Sequence, residues 1–165
     1  MLPFGRSING ILRDGTVRLS RADAEQIARE YFERSPGVVR WIAETKRKAA
    51  EQGYIETPLG RKRRFHNPMS DLRIQEEIGR QAVNFLPQST ASDITLLSVI
   101  RLQEAGLDPR ITVHDDVICE VDEENAEELH ELQKEIMVKC GEELFGTKVP
   151  FKVEGSIGKT WGDLE

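Results

Sequence analysis

Apolar residues recur every three or four positions through the first third of the chain, which is the spacing of one helix face. A capping-box pattern, Ser20-Arg-Ala-Asp23, predicts where the first helix begins. Ser35-Pro36 predicts its end and the start of a second helix, which Gly53 ends. We expect the following side chains to face inward, with Trp41 packed in the core: Ala24, Ile27, Ala28, Tyr31, Phe32, Val38, Ile42, Thr45 and Ala49.

Short strands and longer helices alternate through the middle of the chain. Tyr54–Thr57 and Lys62–Phe65 flank a Pro-Leu-Gly turn and predict a hairpin. Ser70 predicts the start of the next helix, and Pro87 predicts its end or a kink, because proline lacks an amide hydrogen and restricts the residue before it. The helix predicted from Thr90 to about Glu104 is apolar nearly all round, so we expect it at the buried centre.

The last third predicts a second hairpin, an acidic helix and a final strand. The β-branched runs Arg110–Val113 and Val117–Val121 flank three residues that can only form a turn. Phe151–Ile157 predicts a strand that pairs with this hairpin. Residues 1–165 thus predict one α+β domain, with helices packed on a small antiparallel sheet. In the acidic helix we expect Leu129, Leu132, Ile136 and Cys140 to face inward and Glu127, Glu128, Glu131 and Glu135 to face outward.

Length and charge narrow the class of protein. A chain of 165 residues with 38% hydrophobic content can bury a core. We expect a cytoplasmic protein without a membrane segment, because no apolar stretch approaches roughly 18 residues and Cys119 and Cys140 lie among apolar neighbours. Residues 1–103 hold 17 Lys or Arg against 12 acids, and residues 104–165 hold 6 against 17. This division favours a phosphate-binding face in the first part of the chain.

The tripeptide His114-Asp115-Asp116 is the strongest candidate for chemistry. Carboxylates at a rigid hairpin tip hold charge in water or against a cation. Magnesium suits such a tip, because it needs one or two carboxylates and completes its shell with water and substrate phosphates. A solvated acidic turn is the commoner explanation of these three residues alone, since aspartate is common in turns.

Polar and basic residues before the tripeptide favour a nucleic-acid surface. Arg80, Asn84 and Gln88 recur at intervals of four, so Arg80 and Asn84 lie one above another on a helix face. Their side chains can donate to groove acceptors of a duplex, although a polar outer face explains them equally well. The run Arg61-Lys62-Arg63-Arg64 has a similar alternative, a solvated loop.

Four stretches of the chain, in the same order, resemble family A DNA polymerases, the group of bacterial DNA polymerase I and many phage replicases. AREYFERSPGVVRWIAETKRKAAEQGYIETPLGRKRRF resembles the family's helix pair and its GYVET-x-x-GRRR stretch. GRQAVNFLPQSTASD resembles ERxAxNxPxQGTAAD, and ITVHDDVICEV is similar to motif C, usually VHDE. PFKVEGSIGKTWGDL resembles the closing strand and Gly-x-x-W tail. The resemblance covers about Leu19 to Trp161.

This resemblance implies a polymerase palm with part of the fingers, and template-directed nucleotidyl transfer in DNA replication or repair. It implies that Asp115 binds Mg²⁺, that Asp116 assists at the metal or the primer end, and that His114 orients the primer terminus. The implied substrates are primer–template DNA and deoxynucleoside triphosphates. The implied DNA contacts are Arg80, Asn84 and Gln88 along the minor groove, and Arg61 and Arg63 at phosphates.

The chain also departs from the family pattern. Asp116 stands where the family usually has Glu, and Ser89 stands where it usually has Gly. Motif A, with the other catalytic aspartate, and most of motif B have no counterpart in this sequence. We therefore expect an incomplete two-metal site, and catalysis that needs a further polymerase portion in cis or as a separate chain. The alternative is a non-catalytic DNA-binding module or an inactive polymerase remnant.

Overall fold

The computed structural model describes residues 19–66, 71–146 and 148–164, together with residues 8, 12 and 13. The chain divides into two compact units, residues 1–89 and residues 90–165. The described elements are helices and two antiparallel sheets of two strands each, which confirms the α+β class. The boundary between the units falls inside one helix, and the single-domain organisation stays a prediction.

From residue 19 onward the first unit begins with two helices: α1, Arg21–Arg34, and α2, Pro36–Gln52. The Asp23 amide donates to Ser20 Oγ at 3.2 Å, so the predicted cap of α1 is confirmed. Gly53 ends α2 with a left-handed φ of 70°, a conformation that glycine adopts without steric cost.

The buried stripes of these two helices are narrower than the sequence predicts. Small residues occupy them, because they let neighbouring elements approach closely. The large side chains of Ile27, Tyr31 and Trp41 lie at the flanks and are 51%, 37% and 39% exposed, so their predicted burial is wrong. The buried residues of α1 and α2 are Ala24, Ala28, Thr45 and Ala49.

A short hairpin follows α2, as predicted. β1, Tyr54–Glu56, pairs with β2, Lys62–Arg64, with Ile55 opposite Arg63. Side chains from α2, from this hairpin and from the following helix form one apolar core. The buried members of this core are Ala49, Ile55, Phe65, Ile78 and Ala82.

A single helix, α3, runs from Leu72 to Glu104 with Pro87 inside it. Of the two outcomes predicted for Pro87, the helix end is wrong and the kink stays a prediction. Proline removes one intrahelical amide donor, but its fixed φ is helical and the turns on either side continue. The predicted start, Ser70, lies outside the described residues. The Asp71 carboxylate accepts from the Arg73 amide at 2.8 Å and so caps the first turn.

The second half of α3 is not buried all round, contrary to prediction. Leu102 is fully buried, whereas Leu96 and Ile100 are 47% and 54% exposed. Ser98 takes a buried position instead, and its hydroxyl donates to the Ile94 carbonyl at 2.8 Å. A hydroxyl can be buried there because the preceding helical turn satisfies it.

The second predicted hairpin is confirmed, but its turn has two residues where three were predicted, because Asp116 pairs with Val113. β3, Asp108–Val113, pairs antiparallel with β4, Asp116–Glu120. A 3₁₀ turn then leads into α4, Ala126–Phe145. The predicted inner and outer faces of α4 are confirmed. Its inner face packs on the cluster of Leu102, Leu107 and Val117 through Leu129, Leu132, Ile136 and Met137.

The predicted pairing of Phe151–Ile157 with the hairpin is wrong, because none of these residues forms a strand in the described structure. The segment packs along α4 instead. The Phe151 ring stacks on Phe145 at 6.0 Å and lies where a side chain on Gly141 would stand, since a Cβ there would meet the ring at 2.5 Å. No helix among the described residues is long and apolar enough to cross a membrane.

Candidate functional site

His114 and Asp115 form a two-residue turn, and Asp116 begins β4 opposite Val113. His114 has a φ of 57° and is the only non-glycine residue with a positive φ in the described parts of the chain. Tight two-residue hairpins need a positive φ at the first turn position, and histidine tolerates it better than most residues. The turn geometry therefore fixes the backbone at the tip.

The tip is exposed, but its base is anchored. Side chains alternate along a strand, so Asp116 points away from the core that buries Val117. On α4, Gln133 Nε2 donates to the Val117 carbonyl at 2.7 Å and ties the hairpin to the helix. His114, Asp115 and Asp116 are all exposed. The acidic tip of the hairpin therefore lies in solvent, while the strands below it are held by the burial of Val117 and by the hydrogen bond from Gln133.

The two carboxylates are a partial metal-binding set. Arg110 forms ion pairs with Asp108 at 2.5 Å and with Glu120 at 3.1 Å, away from the tip. Within the described ranges neither Asp115 nor Asp116 has an ion-pair partner. No group of three or more His, Cys, Asp or Glu side chains there could hold a metal ion by itself.

The polar stripe predicted from spacing lies on one helix, because α3 continues through Pro87. Arg80 and Gln88 are exposed and Asn84 is half-buried. Asn84 Oδ1 is the only buried side-chain polar atom without a hydrogen-bond partner in the part of the chain described. Buried polar atoms nearly always have partners, so an orphan among the candidate DNA contacts is consistent with a functional position.

The basic cluster lies on the first hairpin and contacts α3. Arg61 to Arg64 are exposed, and Lys62 pairs with Glu56 at 3.2 Å. Arg63 Nη2 donates to Gln81 Oε1 at 2.8 Å, and its guanidinium lies 5.7 Å from the centroid of the Phe65 ring. The structure therefore brings Arg63 to the residue that follows Arg80 in the chain.

Sequence reasoning missed two residues that support this surface. Gln81 Nε2 donates to Glu77 Oε1 at 3.0 Å, and Glu77 forms an ion pair with Arg80. These contacts link Arg63 on the hairpin to Arg80 on the helix. The four-residue interval between Glu77 and Gln81 could have predicted their contact from the sequence, since residues so spaced are neighbours on a helix.

Neither cysteine is suited to nucleophilic chemistry. Burial raises the pKa of the Cys119 thiol, and Asp108 raises it further. Burial also raises the pKa of the Cys140 thiol. Both residues are therefore thiols and poor nucleophiles at neutral pH.

The chain belongs to DNA polymerase family A, whose sequence model matches residues 4–163. It is 34% identical to the thermostable DNA polymerase I of Thermus filiformis over 84% of this chain and 17% of the relative. It is 32% identical to DNA polymerase I of Pseudomonas aeruginosa over 98% of this chain and 18% of the relative. The chain therefore spans under a fifth of the length of these relatives.

A solved structure agrees with this family assignment. The fold is similar, with a TM-score of 0.71 and 30% identity, to the POL domain of Pol1 from M. smegmatis, solved in complex with DNA primer-template and dNTP. The match covers 84% of this chain and 25% of that one. The resemblance inferred from the four stretches is confirmed, while the roles of individual residues stay predictions.

Proposed function

We propose that this chain serves DNA-directed DNA polymerisation as the part of a family A polymerase that carries the motif C hairpin. The observation that carries the proposal is the exposed His114-Asp115-Asp116 tip, with its fixed backbone, in a member of this family. The solved relative was bound to primer–template DNA and dNTP, which supports the same two substrates here. The free thiols Cys119 and Cys140 suit a reducing cytoplasm.

Asp115 and Asp116 fit magnesium as part of its ligand shell. They are adjacent hard-oxygen donors, and magnesium is commonly held by one or two carboxylates together with substrate phosphates. Bound magnesium would supply charge stabilisation at the attacking and leaving oxygens. Asp115 is the principal ligand in this proposal, and Asp116 assists at the metal or the primer end.

The other candidate residues hold the substrates. In the reaction the primer 3′-hydroxyl attacks the α-phosphate of the incoming nucleotide, and pyrophosphate leaves. His114 orients the primer terminus. Arg61 and Arg63 bind phosphates of the primer–template. Minor-groove acceptors differ little between base pairs, so the remaining contacts check pairing geometry without reading sequence. These contacts are Arg80, Asn84 and Gln88.

Catalysis also needs the carboxylate of motif A, for which this sequence has no counterpart. A two-metal site would need protein ligands on both sides of the substrate. Asp115 and Asp116 are adjacent on one hairpin and provide one side. We propose that a further polymerase portion, in cis or as a separate chain, provides the other side.

Primer extension tests the proposal. The pure chain with magnesium and four nucleotides should give no product. Addition of the motif A portion of the Pseudomonas relative's polymerase domain should give template-dependent extension, which Asp115→Asn abolishes. The matched control is Asp122→Asn, an equal change at another exposed aspartate just beyond β4, and it should leave extension intact.

Three results would contradict the proposal. Extension by the chain alone would refute the need for motif A. Complemented extension that survives Asp115→Asn would remove the assigned metal ligand. Failure to extend with the added portion, together with failure to bind primer–template, would refute the polymerase function.

A further inference from the structure

A groove of about 390 Å³ lies in the first unit between β2 and the first turns of α3. Arg63 and Arg64 line it from the hairpin, and Arg73 lines it from the helix. Its apolar lining includes Phe65, which is buried, and Ile74, which is 37% exposed. The groove thus combines an apolar floor with three guanidinium groups.

The groove carries an excess of positive charge. Among the described residues that line it, Glu77 has the only carboxylate, which forms an ion pair with Arg80 and accepts from Gln81 Nε2 at 3.0 Å. The same Gln81 accepts from Arg63 at 2.8 Å and holds that guanidinium along the wall. Arg64 and Arg73 are exposed and have no ion pair within residues 19–66, 71–146 and 148–164. Two uncommitted guanidiniums at one groove favour a phosphate group as ligand.

The size and lining of the groove favour an unpaired strand over a duplex. The groove has a volume of about 390 Å³ and is bounded by a three-residue strand and the first turns of one helix, which is space for a single nucleotide unit. One nucleotide of an unpaired strand can enter, with its phosphate at the arginines and its sugar or base against Ile74. Single-stranded nucleic acid is commonly bound by such a combination of basic groove and apolar contact.

We propose that this groove binds one nucleotide unit of unpaired DNA, with Arg64 and Arg73 contacting its phosphate. The inference rests on the proposed polymerase function and deepens it, because it names a separate contact for the unpaired part of a template strand. Arg63 is a positioning residue as well as part of the wall, because Gln81 and the Phe65 ring fix its guanidinium.

Fluorescence anisotropy with the full chain tests the proposal. The two probes are a labelled thymidine 12-mer and a blunt-ended duplex of two complementary strands, each titrated over a series of salt concentrations. The variants are Arg73→Gln and Arg64→Gln, with Arg73→Lys as the charge-keeping variant. Arg29→Gln is the matched control, since it removes one exposed arginine from α1 of the same unit. Circular dichroism verifies that each variant is folded.

For the 12-mer, the slope of log affinity against log salt should decrease by about 0.7 in Arg73→Gln and in Arg64→Gln, the value for one lost phosphate contact on a single strand. Arg73→Lys and Arg29→Gln should keep the parent slope. Binding of the blunt duplex should not respond to Arg73→Gln.

The failures of the groove and of the polymerase function are distinguishable. If the chain binds the duplex and both Gln variants keep the parent salt slope for the 12-mer, the proposed nucleotide site in the groove is wrong and the polymerase function is not affected. Equal losses on both probes overturn it too, since the arginines would then form a general basic patch. Displacement of the 12-mer by metal-free dTTP at equal phosphate concentration assigns the groove to free nucleotides instead. Absence of binding to either DNA overturns the polymerase function as well.

Discussion

Asp116 carries one methylene fewer than the glutamate usual at this place in the family. Its carboxylate is therefore held closer to β4, at the first residue of the strand, and reaches less far beyond the turn. Asp115, in the turn itself, is freer to project from the tip. This difference in reach is consistent with Asp115 as the principal metal ligand and Asp116 as its neighbour.

Magnesium should bind the isolated chain weakly, because the described residues offer no cluster of three or more possible ligands and magnesium releases its water reluctantly. We expect a dissociation constant on the order of 1 mM, measured by NMR from the amide shifts of His114 to Val117. Asp115→Asn should weaken binding further, and Asp122→Asn should not. A micromolar site in the isolated chain would mean that the metal centre is complete without motif A.

The two thiols should differ in reactivity from free cysteine. Burial raises the pKa of both above the ordinary value of about 9, so the folded protein retains the thiol to higher pH than the unfolded chain. Alkylation at pH 8 should be slow at half-buried Cys119 and slower at Cys140, which is 1% exposed. Mass spectrometry of iodoacetamide-treated protein measures both rates.

The same shifts set a pH dependence for the free energy of unfolding. Below the thiol pKa of the unfolded chain, both cysteines are protonated in the folded and the unfolded state. The stabilisation that comes from the raised pKa in the folded state is then fully present. As the pH rises through the folded pKa, this stabilisation is lost, because the unfolded state releases its protons more readily.

In the alkylation experiment, labelling of Cys140 at the rate of a free thiol would contradict the predicted order of reactivity.

Among the elements, α4 and the segment after it form a contact that a single methyl group should disturb. Gly141→Ala places a Cβ 2.5 Å from the Phe151 ring, so the ring must move off Phe145. Overpacking typically costs about 1–3 kcal/mol, and the better helix propensity of alanine offsets up to about 1 kcal/mol. We expect a net decrease in the free energy of unfolding, measured by urea denaturation.

Gly37→Ala is the matched control for this substitution. Gly37 also lies in a helix, α2, and a Cβ there would meet no atom within 4 Å. This variant should keep or slightly raise the free energy of unfolding, by up to about 1 kcal/mol. Equal stabilisation by the two substitutions would show that Phe151 does not depend on the space above Gly141.

At the scale of the whole molecule, the uneven charge predicts salt-sensitive DNA binding despite a net charge of −6. The basic residues of the first 103 positions can meet phosphate, while the acidic face of α4 lies in solvent. Arg63→Ala should reduce the slope of log affinity for primer–template against log salt by about 0.9, the value for one phosphate contact on duplex DNA. Glu131→Ala should leave that slope unchanged in the same anisotropy titration, and a response to both substitutions would contradict this assignment.

The sequence by itself determined the features that depend on residues a few positions apart. Ser20 and Asp23 predict a helix start, Gly53 predicts a left-handed helix end, and the β-branched runs predict the hairpin around His114 and Asp115. Each of these depends on a hydrogen bond or dihedral angle within one turn. The motifs that contain Gly53 and this hairpin also indicate the family.

Only the tertiary structure decided how residues distant in the chain meet. Local rules at Pro87 favour a helix end, yet the packing on both sides of it keeps α3 continuous. Periodicity assigns Leu96 to the core, but the structure leaves it half exposed and buries Ser98. The segment Phe151–Ile157 has the sequence pattern of a strand, yet the Phe151 ring packs on α4 where Gly141 has no side chain. Such outcomes depend on which elements pack against each other, and the spacing of residues within one element does not specify its packing partner.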